Sequence, residues 1–203
     1  NLLYSQKQAF AYESILTKRY TLKNSILRSE VSLEDGNINF STSAKNLINL
    51  YNASHIITTR TINDNDFELV FETTTKNAKY NVYKNKANFK KYYVANDFVV
   101  AKNIDQISTF FKKDRINPFE TIVLEDYPGQ IQKNNPEYKI EQISDDPTYQ
   151  KFNLSTTDST IFVVNESYYP GWIAKIDNKN AKIFAANINS RAVLVPEGDH
   201  VVE

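Results

Sequence analysis

The sequence predicts an α+β fold that is mainly β. An antiparallel β-sandwich of jelly-roll or carbohydrate-module type is expected to follow an N-terminal half that holds a few short helices. Most apolar segments are short and alternate with polar residues, which is the period of a strand. The 203 residues include 12 Phe and 13 Tyr but only 4 Gly, and this composition favours folded β-structure over disorder.

Three stretches have the apolar spacing of helices instead. The clearest is Ser43–Tyr51, where Ser43 is the expected N-cap and Asn52 the residue that closes the helix in the left-handed conformation. The other two are Gln6–Arg19 and Asn103–Lys113, the latter with a side-chain pair at its start that resembles a capping box. The apolar stripe of the helix predicted over Ser43–Tyr51 consists of Ala44, Leu47, Ile48 and Tyr51.

Proline and glycine place the boundary between two parts of the chain. The stretch Asp126–Glu137 contains a Pro-Gly pair and a further proline, which makes it the best linker candidate. We therefore predict an N-terminal α+β part over residues 1–130 and a sandwich over residues 131–203, with one continuous domain as the alternative. Before the linker we expect strands at His55–Thr59, Phe67–Thr73, Tyr80–Tyr83, Phe98–Ala101 and Thr121–Leu124, and a turn at Asp35-Gly36.

The C-terminal strands are organised around the turn at Pro170-Gly171. We expect Ile161–Val164 to enter this turn and Trp172–Ile176 to leave it as its antiparallel partner. Because Trp172 alternates with Ala174 and Ile176, it is expected to lie in the core. Further strands are predicted at Tyr138–Ile143, Tyr149–Leu154, Ala181–Ala186 and Arg191–Val195 and from His200, with a hairpin turn at Asp177–Asn180.

Several short motifs in this region carry a family resemblance. They are Ser167–Trp172 (SYYPGW), Asp177–Lys179, Ala186-Asn187, Arg191–Val193, Val195-Pro196, and Gly198 with His200. In this order they resemble the end of the soluble domain in the YfhO family of polytopic bacterial membrane proteins, which are similar to glycosyltransferases of the C type. Asn178 stands where the family has Gly, and Asn also tolerates the left-handed region. Leu47–Thr59 resembles an earlier segment of the same family.

The resemblance implies a setting and a role. The chain would be an extracytoplasmic domain on the outer face of the bacterial cytoplasmic membrane, within a multi-spanning protein that transfers lipid-linked sugars to cell-envelope polymers. Its implied partners are the parent's transmembrane helices and an envelope glycan or lipid-linked sugar. The absence of Met at position 1 and the ending within a predicted strand are expected of a segment cut from such a protein. Since the family carries its catalytic acid among the membrane helices, we expect no catalysis from this segment alone.

Composition argues against several other classes of function. The formal net charge is zero, so nothing indicates a nucleic-acid partner. Cysteine is absent, and the two histidines, His55 and His200, do not have metal-binding spacing. We therefore expect no metal site and no cofactor. A stand-alone hydrolase would need two close carboxylates, one with a raised pKa, which a sequence cannot place.

Aromatic and amide side chains are the remaining candidates for ligand contact. Tyr168, Tyr169 and Trp172 could stack on sugar rings, and Asn187 and Asn189 could bond to hydroxyl groups. The alternative for Trp172 is a purely structural place in the core. The alternative function is a non-catalytic structural or protein-interaction domain of an envelope membrane protein.

Overall fold

The computed structural model describes residues 18–87, 91–112, 116–127, 129 and 135–203. The described residues up to 87, with 111 and 112, form one compact unit, and those within 91–110 and 116–203 form the other. The predicted boundary between residues 130 and 131 falls at residues outside the described part, so it stays a prediction. Most of the predicted helix Gln6–Arg19 is also outside the described residues.

The first unit combines two helices with two small sheets. One sheet contains β2 (Asn37–Phe40), which pairs antiparallel with β1 (Val31–Glu34) and parallel with β4 (Thr61–Ile62). In the other sheet, β6 (Lys79–Asn85) lies between β3 (His55–Thr58) and β5 (Phe67–Thr74) and is antiparallel to both. Its elements are α1 (Lys18–Ser29), β1 (Val31–Glu34), β2 (Asn37–Phe40), α2 (Thr42–Leu50), β3 (His55–Thr58), β4 (Thr61–Ile62), β5 (Phe67–Thr74) and β6 (Lys79–Asn85).

The α2 helix has the predicted apolar stripe, but its N-cap is a different serine. Ser41 adopts an extended conformation, and its hydroxyl accepts a hydrogen bond of 3.1 Å from Ala44 N, whereas Ser43 is buried inside the helix. The prediction of Ser43 as the cap was therefore wrong, because two serines precede the stripe and the sequence does not say which one leaves the helix. Asn52 has a φ of 52°, as predicted for the residue that closes this helix.

Lys23 of α1 is a buried cation in the first unit. Its Nζ donates to the Leu50 carbonyl at the end of α2 over 2.8 Å and lies 4.0 Å from the centre of the Tyr51 ring. Both contacts favour the ammonium form, but burial opposes them and lowers the pKa of Lys23 to about 7.

The second unit contains the remaining helix and eleven strands among the described residues. Asn103 Oδ1 accepts from Gln106 N and Gln106 Oε1 accepts from Lys102 N, so the predicted capping pair is present. The elements are β7 (Tyr92–Ala95), β8 (Asp97–Ala101), α3 (Ile104–Lys112), β9 (Thr121–Glu125), β10 (Tyr138–Asp146), β11 (Tyr149–Thr156), β12 (Thr160–Val164), β13 (Ala174–Ile176), β14 (Lys179–Ala181), β15 (Phe184–Ala186), β16 (Ser190–Val195) and β17 (Gly198–Val202).

Two sheets of this unit form a sandwich, which confirms the predicted fold class. One sheet has the order β10-β11-β17-β13-β14 and is antiparallel throughout. The other has the order β7-β12-β16-β15-β9-β8 and is antiparallel except for the parallel pair β8–β9. The Phe152 and Phe162 rings, one from each sheet, meet edge to face with centroids 5.0 Å apart.

Alternation along the strands gives the six-stranded sheet two buried faces. Phe162 and Val193 point toward the other sheet and join a cluster with Phe152, Leu154 and Val202. Their sequence neighbours point the opposite way, into a second cluster on the far face. The members of that cluster that follow this rule are Ile161, Val163 and Ala192.

The connections between C-terminal strands differ from the prediction at two places. β12 pairs with β7 and β16, whereas β13 pairs with β14 and β17, so the turn at Pro170-Gly171 joins strands of different sheets. The predicted strand Ala181–Ala186 is likewise divided between the two sheets as β14 and β15. The hairpin of β13 and β14 is as predicted, with φ values of 50° and 64° at Asp177 and Asn178.

None of the helices in the described part of the chain has the length and hydropathy needed to cross a bilayer.

Candidate functional site

A cleft of about 280 Å³ opens between the two sheets of the second unit. Its mouth is formed where β11 begins, where β17 ends and where the loop over residues 165–173 leads from β12 to β13. Apolar side chains form its floor, and side chains from strand ends and loops, most of them polar, form its mouth. The floor residues are Phe152, Phe162, Val164, Ala174, Ile183, Val193 and Val202, and the mouth residues are Thr148, Tyr149, Gln150, Trp172, Ile173, Arg191 and Glu203.

Trp172 stands at this mouth and lies before β13 instead of within it. Its side chain is partly buried, and one face of the indole is covered by the Arg191 guanidinium, whose Cζ is 3.8 Å from the ring centre. Trp172 therefore lies at the edge of the core with most of its surface buried, although not inside a strand of the core as predicted. The alternation that suggested it holds only from Ala174 onward, because the chain enters the strand two residues later than the pattern indicated.

Arg191 is the central charged group of the site. It is the second residue of β16, with only 7% of its surface exposed, and its Nη2 donates to Glu166 Oε2 over 2.9 Å and to Gln150 Oε1 over 3.1 Å. Its Nε is buried and has no hydrogen-bond partner among the described residues. The indole face beneath the guanidinium offsets part of the cost of this unpaired donor.

The charge of Arg191 is balanced by a network that ties the two sheets together. Glu166 accepts bonds from Arg191 and Gln150, and its other oxygen lies 3.1 Å from Lys91 Nζ. Lys91 also pairs with Asp145, and Gln150 Nε2 donates to the same carboxylate over 3.2 Å. The network joins the residue before β7, the end of β10, the start of β11, the loop and β16, so it holds these segments together at the mouth.

Ionisation in the network follows from burial and pairing. Burial lowers the pKa of Arg191, and Glu166 partly opposes this shift, so the guanidinium keeps its charge. Burial also lowers the pKa of Lys91, but the hydrogen bonds to Asp145 and Glu166 outweigh it and leave that pKa raised. Two cations and two carboxylates therefore face one another, and the network carries no net charge.

A second group of hydrogen-bonded and charge-balanced side chains at the mouth consists of Tyr149, Lys151 and Glu203. The Tyr149 hydroxyl donates to Glu203 Oε1 over 2.5 Å, and Lys151 Nζ lies 3.1 Å from the same oxygen. These bonds lower the pKa of Glu203, and the contact raises the pKa of Tyr149. A lowered carboxyl pKa is the opposite of what a general acid needs near neutral pH. Glu203 therefore acts here as a hydrogen-bond acceptor that holds the tyrosine ring at the mouth.

Two of the predicted contact residues, both tyrosines, precede Trp172 on the loop. The Tyr169 side chain is 50% exposed, and Ile173 on the other side of Trp172 is 72% exposed. Tyr168 is half-buried, and its backbone N–H donates to the Asn189 carbonyl over 2.9 Å. Among the five predicted residues, only Trp172 lines the cleft, and Tyr169 lies three residues away on the same exposed loop.

Asn187 has a structural role that the sequence did not suggest. It has 0% of its surface exposed, its Oδ1 accepts from Val123 N over 2.9 Å, and its Nδ2 donates to Tyr93 Oη and Pro118 O over 2.9 and 3.0 Å. Its φ is 46°, a value that Asn adopts more readily than most residues. Asn187 therefore connects the chain before β16 to β9 and β7, and a glycan cannot reach it in this conformation.

Asn189 is also largely inside the fold. Its Nδ2 donates to Ser167 Oγ over 3.1 Å, which holds the start of the exposed loop against the chain before β16. Its Oδ1 is buried and has no hydrogen-bond partner among the described residues. We interpret Asn189 as a residue that positions the loop, not as one that contacts a ligand directly.

The site residues that the sequence did not single out are Arg191, Gln150, Tyr149 and Glu203. Arg191 was noted only as part of a family motif, although an arginine between strand residues such as Ser190 and Ala192 is a signal of its own. A charged side chain in an apolar strand requires a partner, and here the partner is Glu166. Nothing in the sequence indicates that the ring against it is that of Trp172.

A second, shallower depression of about 450 Å³ lies on the five-stranded sheet, and six of its eight lining residues are polar. It includes His200, whose Nδ1 lies 2.7 Å from Asp177 Oδ2 and whose pKa this bond raises. The other lining residues are Lys139, Glu141, Asn153, Leu154, Ser155, Asp199 and Val201. No group of three metal-binding side chains occurs in the part of the chain that the structure describes.

Comparisons of the chain with protein-family models, curated proteins and solved structures found no match.

Proposed function

We propose that the second unit is a glycan-binding β-sandwich that holds or recognises sugar at the mouth of the Trp172 cleft. The observation that carries this proposal is the partly buried indole at the mouth of the cleft, with a cation fixed against one of its faces. We infer that the part of the indole that remains accessible at the mouth receives the apolar side of a sugar ring, since ring stacking of this kind is a common mode of carbohydrate contact. Tyr149 and Glu203 beside it supply hydroxyl and carboxylate groups for sugar hydroxyls.

We further propose the biological setting that the family resemblance implies. The chain would be an extracytoplasmic domain of a multi-spanning bacterial membrane protein that transfers lipid-linked sugars to cell-envelope polymers, and it would hold the acceptor glycan. The support for this setting is the ordered set of motifs from Ser167 to His200. The position of the cleft adds to this support, because a ligand bound there would lie beside Trp172, the last residue of the SYYPGW motif.

Calorimetric titration after a glycan-array screen tests binding. We expect affinities near millimolar, about −4 kcal/mol, for a shallow site of this kind. Trp172→Ala should weaken binding by at least about fivefold, because aromatic contacts contribute about 1 kcal/mol. Tyr138→Ala is the matched control, since Tyr138 is an exposed aromatic residue of β10 that does not line the cleft. Equal affinity of the two variants would contradict the proposal.

A separate assay tests the expectation that the chain alone performs no chemistry. The purified protein is incubated with lipid-linked sugar donors and teichoic-acid-like acceptors, and product is followed over time. We expect no turnover. Sustained transfer or hydrolysis that a single substitution such as Glu166→Gln or Glu203→Gln abolishes would place an active site within this chain.

A structural or protein-interaction role is the second candidate, and β5 favours it. Leu69, Val70 and Phe71 are all exposed, and β5 pairs only with β6 among the described strands, which leaves its other edge unpaired. If this role is correct, Phe71→Ser should lower the amount of full-length protein that assembles in membranes and leave glycan titrations unchanged. Unchanged assembly would count against it.

A further inference from the structure

The floor of the cleft is apolar, which does not suit the hydroxyl groups of a sugar. Its side chains are apolar and include Phe152, Phe162 and Val193 from the interiors of β11, β12 and β16, while the polar side chains that line the cleft belong to strand ends or loops. A sugar ring placed on this floor would lose its hydrogen bonds to water and gain none in return. A hydrocarbon group would gain free energy there in proportion to the apolar area that it covers.

The charges at the mouth restrict the polar part of a ligand. Arg191 is bound to Glu166, and Lys151 lies against Glu203, so each of these cations already has a carboxylate partner. An anionic head group would have to displace one of these carboxylates or be repelled by it. An uncharged head that offers hydroxyl groups fits the neutral mouth better than a phosphate or a carboxylate does.

The volume of the cleft limits the size of the apolar group that a ligand can place there. A volume of about 280 Å³ corresponds to about nine groups of the size of a water molecule, at about 30 Å³ each. Ile173 extends the apolar wall outward from the mouth, since it is the most exposed of the large apolar side chains in the described residues. A chain of about eight carbons would fill the floor and leave its head group beside Trp172.

We infer that the cleft binds a single-chain glycolipid, with the hydrocarbon chain on the floor and the uncharged sugar head at the mouth. This inference rests on the proposed function for the position of the sugar, and it adds the apolar group as the larger source of affinity. It also divides the roles of the lining: Trp172 and Tyr149 contact the head, whereas Phe152, Phe162 and Val193 contact the chain.

The experiment is a calorimetric titration of the whole chain with n-alkyl β-glucosides of one, four, six and eight carbons, below their micelle concentrations. Octanoate, which has a similar chain and an anionic head, is titrated in parallel. We expect affinity to rise about fourfold per methylene group, the factor that corresponds to about 0.8 kcal/mol. The rise should stop near eight carbons, and octanoate should bind at least tenfold more weakly than octyl glucoside.

Two alanine variants provide the matched control. Ala174 lines the cleft, and Ala181 is its register partner on β14 and does not line it. Ala174→Leu should fill the floor and weaken octyl glucoside at least tenfold without changing methyl glucoside, and Ala181→Leu should change neither. Thermal unfolding shows whether each variant remains folded, and Ala174→Val is the milder substitution if leucine is not tolerated.

The possible outcomes separate the inference from the function on which it rests. If methyl and octyl glucoside bind equally, the hydrocarbon site is refuted and glycan binding stands. If octanoate binds as well as octyl glucoside, the sugar head has no role, and both the glycolipid inference and the proposed function fail. If no probe binds and Ala174→Leu raises the unfolding temperature, the cleft is a packing defect and both are wrong.

Discussion

Replacing Asn187 by alanine should be among the most destabilising single changes at a polar residue of the second unit. The substitution removes the acceptor for Val123 N–H, which would then be buried without a partner at a cost of about 1–3 kcal/mol. Pro118 O keeps its bond of 2.7 Å from the Tyr93 hydroxyl, so the loss there is smaller. Alanine must also adopt the φ of 46°, which costs about 1–2 kcal/mol. The sum of the two contributions is about 2–5 kcal/mol.

A second asparagine separates these two contributions. Asn178 has a φ of 64°, lies exposed in the β13–β14 turn, and has no side-chain hydrogen bond among the described residues. Asn178→Ala should therefore cost only the backbone part, about 1 kcal/mol. The assay is urea unfolding followed by far-ultraviolet circular dichroism. If Asn187→Ala destabilises no more than Asn178→Ala, the hydrogen bonds of Asn187 contribute little and the reasoning is wrong.

Three further predictions concern charged groups. The pKa of Lys23, lowered by burial to about 7, lies below the unfolded value of about 10.4, so the free energy of unfolding should rise between about pH 7 and pH 10. Lys23→Met should abolish that rise in urea titrations, and an unchanged pH dependence would contradict it. Because Asp177 raises the pKa of His200, the stability linked to this pair is present below about pH 6.5 and is lost as pH rises through the folded pKa. Asp177→Asn should lower that pKa in an NMR titration of the imidazole, and no change would refute the pairing. Glu166→Gln should destabilise the protein by about 1–3 kcal/mol in the same unfolding assay, because the buried Arg191 loses its carboxylate partner. An unchanged free energy of unfolding would show that the charge of Arg191 is balanced by other groups.

Local signals in the sequence predicted the local structure well. The Asp177-Asn178 turn, the closure of α2 at Asn52 and the capping pair of α3 depend on residues within a few positions of one another. Such features follow from backbone preferences and short-range hydrogen bonds, which a sequence displays directly. The predicted strands mostly lie where the structure has them, because their alternation matches the two faces of each sheet.

Strand pairing was harder to predict than strand position. The pattern around Pro170-Gly171 correctly indicated a reversal of the chain, but a reversal within one sheet and a crossing between two sheets of a sandwich look alike in sequence. β12 and β13 fall in different sheets for this reason. For the same reason, the sequence did not predict that Ala181–Ala186 is divided between the two sheets as β14 and β15.

The candidate site was predicted only in part, because polar residue types do not reveal their burial. Asn187 and Asn189 suggested surface amides, yet the partners that make their burial possible come from residues 22 or more positions away in the sequence. Trp172 was identified, but its contact with Arg191 depends on how the loop folds over β16. Long-range contacts of this kind do not follow from spacing or composition.

The most direct test of the glycan-binding cleft uses the indole N–H signal of Trp172, which is unique because the chain contains one Trp. In NMR spectra of labelled protein titrated with octyl glucoside, this signal should shift saturably together with the backbone amides of Gln150 and Arg191. The amides of Lys139, Asn153 and His200 around the shallower depression should not move. An unmoved indole signal, or saturable shifts confined to that depression, would contradict the assignment of the cleft as the binding site.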